Sequence, residues 1–332
     1  MEETLYLKPR LKGDFWMIGD NPDLGELDGR KKGSRVRRQE CVDHHIYRAD
    51  DGLWHLWGCI RGTAVGRILY HWRAPSLTVE HWEKRGEIIR ADHRAGESVA
   101  DWNDEEWIQS PFVVRDGGRF YMFYGGHTAE PVPRKDWPTG MEHRKCNSQI
   151  SLMTSPDGLN WTRRRDSEGR SRLFVGPGET RDPCVLRIAG VWHLYYAGYE
   201  SMSSGECPGV YLRTSKDLEN WSSPRLVHCD RSGRFGSSLW DTECPHIVYR
   251  GGFYYLFRTE NYAERRTHVF RSADPADFGV GDASAHYVGP LEVGAPEVIV
   301  DEDGTEYITS NHDLTGGTRI CRLVWESVRG AS

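Results

Sequence analysis

Apolar and polar positions along the chain fall into one pattern that is used five times. A short apolar run, a turn containing Gly and an alternating aromatic run follow one another in DHHIYRADDGLWHLWG from Asp43 and QSPFVVRDGGRFYMFYG from Gln109. The same order recurs in DPCVLRIAGVWHLYYAG from Asp182 and ECPHIVYRGGFYYLFR from Glu243, and a shorter copy, PEVIVDEDGTEYITSN, begins at Pro296. Period-two alternation around a Gly turn predicts a β-hairpin, because successive side chains of a strand face opposite sides of a sheet. A second phrase follows the hairpins: LYHWRAPSLTVEHW ending at Trp82, SLMTSPDGLNW ending at Trp161 and YLRTSKDLENW ending at Trp221. It reads as a third strand and a turn in which Asp caps the backbone and Trp packs between units. A strand resuming after each Trp completes four per unit.

Such repeats predict an all-β fold, a five-bladed β-propeller with four antiparallel strands per blade. Residues 39–332 are expected to form that single domain, and residues 1–38 an N-terminal extension ahead of it. The segments 92–108 and 126–148 are expected to be long loops over the central face, where such folds carry function.

Composition changes this picture in a few respects. The chain of 332 residues has 13 Trp, 15 Tyr, 10 Phe and 36 Gly, which suits short strands and tight turns and equally a pocket that stacks on sugar rings. A net charge of −6 gives no global field for nucleic acid, and the basic run RKKGSRVRR over Arg30–Arg38 reads as a solvated loop. The opening MEETLYLKPRLKGDF lacks the basic start and apolar core of a secretory signal, and no segment reaches ~18 consecutive apolar residues. A cytoplasmic location without membrane contact is expected, or a secreted or periplasmic one if a signal has been trimmed. The eight cysteines include no C-x-x-C pair, so reduced thiols are expected rather than a zinc site. Oligomeric state is not encoded in any feature of this kind.

In a propeller the first strand of each blade lines the central axis, so the heads of the hairpins converge although they are far apart in sequence. Those heads are Asp43, Gln109, Asp182 and Glu243. Clustered carboxyl groups raise at least one pKa by repulsion, so that one can hold a proton while another stays ionised. Glycoside hydrolysis needs that division: one group protonates the leaving oxygen, and the other attacks the anomeric carbon or activates a water. Taken singly, each acid also reads as a turn or cap residue, Asp182 before Pro183 most plainly. Cys244, Pro245 and the apolar strand from Ile247 imply a poorly hydrated setting that would raise the Glu243 pKa.

GETRDPCV (178–185) and DTECPHIVYRGGFYYLF (241–257) resemble the Arg-Asp-Pro and Glu-Cys-Pro motifs of glycoside hydrolase family 32, the invertases and fructanases. Glu-Cys-Pro-His-Ile is also similar to the general-acid segment of family 43, the arabinanases, xylosidases and arabinofuranosidases. Those families share a five-bladed propeller with two Asp and one Glu at the axis. The resemblance covers residues 39–326. It implies a hydrolase of a plant- or algal-type oligosaccharide, an arabinofuranoside, xyloside, fructofuranoside or related glycoside. It also implies Asp43 as base or nucleophile, Asp182 as transition-state stabiliser or pKa modulator, and Glu243 as general acid. Val42-Asp43-His44-His45 departs from the Asn-Asp-Pro-Asn of family 32, and too few residues follow the fifth copy for that family's β-sandwich. This tilts the resemblance toward family 43 or a related single-domain branch.

By the same resemblance His312, in TSNHDL, is the candidate to help hold a metal or a water near the axis. No cofactor is needed for the chemistry, and a calcium or sodium ion at the channel centre is the structural option. His44, Trp107, Gln109, Arg181, His246, Arg258 and Glu297 are candidates to stack on or hydrogen-bond a carbohydrate substrate. Two alternatives stand beside hydrolysis. One is a glycoside phosphorylase, with Arg181, Arg258, Arg265 and Arg266 as phosphate donors. The other is a sugar-binding propeller without catalysis, since fold does not imply function.

Overall fold

Each hairpin read from the sequence heads a sheet in the computed structural model, which describes residues 4–32, 38–98, 106–131, 146–176, 179–198, 208–236, 241–311 and 316–330. Strand β1 (Thr4–Asp20) belongs to the last sheet. The first blade is β2 (Glu40–Arg48), β3 (Trp54–Arg61), β4 (Ile68–Ala74) and β5 (Glu83–Ile89). The second runs from β6 (Ile108–Asp116) through β7 (Arg119–Pro131) and β8 (Cys146–Ser155) to β9 (Thr162–Arg163) and β10 (Arg172–Val175), which both pair with β8. In the third, β11 (Thr180–Ile188), β12 (Val191–Gly198), β13 (Gly209–Ser215) and β14 (Arg225–Asp230) follow in order. The fourth holds β15 (Glu243–Arg250), β16 (Phe253–Asn261), β17 (Arg266–Ser272) and β19 (Tyr287–Glu292), while the short β18 (Val280–Gly281) runs parallel to β14. The fifth is β20 (Val298–Val300), β21 (Glu306–Ser310), β22 (Gly317–Gly330) and β1. This is the expected five-bladed propeller, and the described residues contain no α-helix.

The Ser-x-Asp-x-x-x-Trp phrases do what their chemistry suggests. Asp157 Oδ1 accepts from the backbone N–H of Leu159 at 2.8 Å and Asn160 at 2.9 Å, and Asp217 Oδ1 accepts likewise from Glu219 and Asn220. The capped turn then delivers an aromatic ring to the preceding blade. Trp161 meets Tyr47 edge-on at 6.1 Å, and Trp221 meets Phe123 at 5.8 Å. In the fourth blade SADPADF puts Phe278 against Tyr195 in the same role. Edge-to-face aromatic pairs add roughly 0.5–1.5 kcal/mol each beyond their buried area, so the phrase is a blade-to-blade fastener.

Residues 1–38, expected to stand ahead of the propeller, instead supply one of its strands. β1 pairs antiparallel with β22 from Thr4↔Gly330 to Asp20↔Gly317. The reason is the exposed edge that β22 would otherwise leave, with a row of unpaired N–H and C=O groups. Ile18 on β1 is fully buried beside Leu56, Trp72, Trp82 and Ile320, which joins the fifth blade to the first. Ile18→Ala should therefore lower unfolding free energy by about 2–4 kcal/mol, the usual cost of truncating a buried aliphatic side chain. Chemical denaturation measures this; a change below about 0.5 kcal/mol, the surface-substitution range, would mean that the strand is not integral to the fold.

Candidate active site

The inner strands reach the axis through bulges, and the bulges fix which side chain stands where. In β6 the register passes from Gln109↔Gly125 to Phe112↔Phe123, so that Ser110 and Pro111 together oppose Tyr124. In β11 it passes from Arg181↔Ala197 to Cys184↔Tyr195, and in β15 from Glu243↔Thr259 to His246↔Phe257. Each bulge is a left-handed residue followed by proline: Ser110 has φ 51°, Asp182 57°, Cys244 50°, and in the fifth blade Ala295 before Pro296 has φ 44°. Extra residues of this kind bend the strand and re-aim side chains. The first blade has a one-residue bulge at Val42, between Cys41↔Ile60 and Asp43↔Cys59.

This register splits the four hairpin heads into two rungs, a correction to their alignment as one position. Asp43 and Asp182 share a rung with Ser110 and Cys244, whereas Glu243 stands one residue earlier, level with Gln109 and Arg181. The three acids nonetheless line one cavity of about 400 Å³. Ser110 Oγ lies 3.0 Å from Asp43 Oδ2 and 2.6 Å from Asp182 Oδ1. A hydroxyl has one hydrogen. It donates across the shorter contact to Asp182 and accepts from Asp43 when that carboxyl is protonated. Burial and the neighbouring Asp182 charge push the Asp43 pKa up to about 6, against the pull of Arg67. Asp182 Oδ2 accepts from the Cys244 backbone N–H at 3.0 Å.

Glu243 is buried, as its neighbours imply, but it is not in apolar surroundings. The Arg181 guanidinium donates to Glu243 Oε1, and lies 3.7 Å from Asp182 and 3.8 Å from Glu179. An opposite charge in contact favours the ionised carboxylate, which opposes the effect expected from burial alone.

The other candidates separate around this rung. Gln109 and Arg181 line the large cavity with Arg61, Arg67, Asp241, Glu260, Asn261 and Tyr262, none of which the hairpin repeat singles out. His44, His246 and Glu297 line a narrow recess on the other side of Asp43 and Asp182, walled by Pro111, Pro183, Pro245 and Pro296. Trp107 and Arg258 line neither. Trp107 stacks on His127, and the buried Arg258 donates to the carbonyls of Phe235 and Asp241 and to Thr242 Oγ1, tying down the chain that leads into Glu243. Of the phosphate donors considered, only Arg181 reaches the cavity; Arg266 is paired with Glu260 and Glu264. His312 lies outside the described residues.

The two histidines of the recess are held neutral. Burial lowers the pKa of both His44 and His246 to about 4. His246 Nε2 accepts from the Val298 N–H at 3.1 Å, and His44 Nε2 is 2.9 Å from Thr309 Oγ1. Burial would raise the Glu297 pKa, but His45, 2.8 Å from Oε1, holds it below the ordinary value, and Oε2 takes the Ile46 N–H. A calcium or sodium ion needs several free oxygen donors. Among the described residues Asp43 and Asp182, whose ligand atoms lie with Cys244 Sγ within 4.8 Å of one another, are the group that could contribute to such a site, whereas Glu297 is engaged on both oxygens.

No family model matches the chain. Two uncharacterised proteins of Mycobacterium tuberculosis, from strains CDC 1551 / Oshkosh and H37Rv, are 25% and 24% identical over 171 and 169 residues. Each match covers 49% of this chain, which thus spans about half the length, 50%, of the curated relatives it matches. Among solved structures, a thermostable family-43 glycoside hydrolase superposes with TM-score 0.60 at 17% identity, over 91% of this chain and 94% of its own. An α-L-arabinofuranosidase from Lactobacillus brevis gives 0.58 at 13% identity, over 87% and 92%. An exo-1,5-α-L-arabinanase from a bovine ruminal metagenomic library gives 0.56 at 17%, over 88% and 97%. In fold, the chain is similar to the five-bladed propeller glycoside hydrolases of family 43 along nearly its whole length.

Proposed function

We propose that this chain is a glycoside hydrolase acting on an oligosaccharide through Asp43, Asp182 and Glu243. The observation that carries this is the pair Asp43 and Asp182, joined through Ser110 on one wall of the cavity that Glu243 also lines. Asp43, ionised above pH about 6, is the base or nucleophile at the anomeric carbon. Asp182, fixed by Ser110 and by the Cys244 N–H, is the stationary charge that positions the sugar and tunes its neighbours. Glu243 is the proton donor to the leaving oxygen. To take up that proton it must lose the Arg181 contact, and Glu179 and Asp182, both within 4 Å of the same guanidinium, are the acceptors able to take it over when a substrate enters. Arabinofuranosides, xylosides and fructofuranosides are the first substrates to test, as the fold neighbours and the two motifs suggest.

Glu243→Gln should depress turnover of substrates with poor leaving groups by about 10²–10⁴-fold, the scale of lost general-acid catalysis. Activated aryl glycosides should suffer far less, because their leaving groups need little protonation. Equal losses for both substrate types would reject the assignment. Asp43→Asn should disable both types, and wild-type kcat/KM should fall as pH drops below about 6. A profile flat down to pH 4 would exclude Asp43 as the base.

Ionised Asp43 should also weigh on stability. Its folded pKa of about 6 exceeds the ordinary 3.8, so the stability tied to its proton is complete below pH 4 and lost as pH rises through 6. Asp43→Asn should therefore stabilise the fold at pH 7 by up to about 3 kcal/mol, and the gain should vanish near pH 4. Thermal melts of both proteins across that range measure it; a variant less stable than wild type at pH 7 would contradict the burial argument.

A further inference from the structure

The three guanidinium groups of the large cavity are not equivalent. Arg61 is paired with Glu40 and Arg181 with Glu243. Arg67, just ahead of β4, has no carboxylate within ion-pair distance among the described residues. It is nevertheless held firmly. Its guanidinium lies 4.0 Å over the Trp107 ring, and Trp107 is stacked on His127 with centroids 4.9 Å apart and planes 9° from parallel. Nη1 donates to Gln109 Oε1, and Nε is buried without a partner. Burial pulls the Arg67 pKa below its ordinary value, against the opposing pull of the Asp43 charge, and no carboxylate among the described residues makes direct contact with it.

Leaving a desolvated cation unpaired is unfavourable. A neutral sugar would leave it so. A planar guanidinium fixed by stacking is, in contrast, well prepared for the two oxygens of a carboxylate or phosphate. Because Gln109 Oε1 is already taken, its amide N–H groups remain as donors beside Arg67, and Arg61 adds positive charge to that wall. The rest of the cavity has the other sign, with Asp43, Asp182, Asp241, Glu243 and Glu260. Charge complementarity favours a ligand whose anionic group faces Arg67 and whose neutral part faces Glu243.

Resting on the glycosidase reading, we propose that Arg67 anchors an oxyanion subsite in the substrate cavity, taking the carboxylate of a uronosyl unit or a phosphate group. The test is calorimetric titration of the whole chain at pH 7.5 with inorganic phosphate, with glucuronate and with xylose as the neutral control. Saturable binding of either anion, weakened roughly 10–100-fold in Arg67→Met, is expected for a lost charged hydrogen bond. Met keeps an apolar stem over Trp107, and Arg67→Lys, which keeps the charge, should recover part of the affinity if Arg67→Met proves poorly folded. Phosphate binding alone assigns the subsite to a phosphate group, and glucuronate binding alone to a uronosyl carboxylate. If neither anion saturates, if Arg67→Met and Arg67→Lys both bind like the wild type, or if xylose shows the same dependence on Arg67, the proposal fails. Glu243→Gln, expected to lose hydrolysis, should still bind the anion. An inactive wild type that binds it would sink the hydrolase reading alone, and an active one that does not would sink the subsite alone.

Discussion

A non-glycine residue held at positive φ immediately before a proline is the constraint on which the centre of this molecule depends. The combination costs roughly 1–3 kcal/mol per site, and the chain accepts it at Ser110, Asp182, Cys244 and Ala295. Each bulge lifts residues out of the ladder at the axis and strands their backbone groups. Proline removes one of the stranded donors. The other is captured by the neighbouring blade where the contacts are seen: the Cys244 N–H by Asp182, and the Ala295 N–H by Thr259 Oγ1 at 2.9 Å. Backbone strain in one blade is thereby tied to side chains of the next.

From that constraint follows the division of labour at the axis. The bulged rung presents Asp43, Ser110, Asp182 and Cys244 as a ring, in which a hydroxyl and two carboxyls can share one proton. The rung before it presents Gln109, Arg181 and Glu243, where charges are balanced rather than crowded. Beyond the ring, prolines and neutral histidines line a narrow recess, with Glu297 serving as the hub that holds the first and fifth blades together. Crowding on one rung and compensation on the next give two acids of the same cavity different electrostatic settings.

Much of this was legible in the sequence. The hairpin repeat, the aromatic fasteners and the convergence of three acids all follow from alternation and spacing. The register does not, because alternation around a Gly turn leaves the heads of the inner strands free to shift by one residue. The signal that fixes it is the proline at Pro111, Pro183 and Pro245, which sets Ser110, Asp182 and Cys244 level and Glu243 one residue earlier. Arg67 and Tyr262 sit in the connections between the second and third strands of their blades, which differ in length, so periodicity carries no signal for them. The strand Thr4–Asp20 was hidden for another reason. Pro9 and Gly13 interrupt its alternation, and its partner is the most distant strand in the chain.

That last pairing has a bearing on how the molecule is made. β1 finds its partner only when β22, far along the chain, has left the ribosome, so until then an extended segment with Ile18 and Trp16 at its inner end has no sheet to join. Pairings of such long range form slowly, and unpaired edges invite association between chains. Lys8, Arg10 and Lys12, spaced along the exposed stretch of that strand, are the kind of charges that discourage it. They keep the waiting edge soluble until the ring can close.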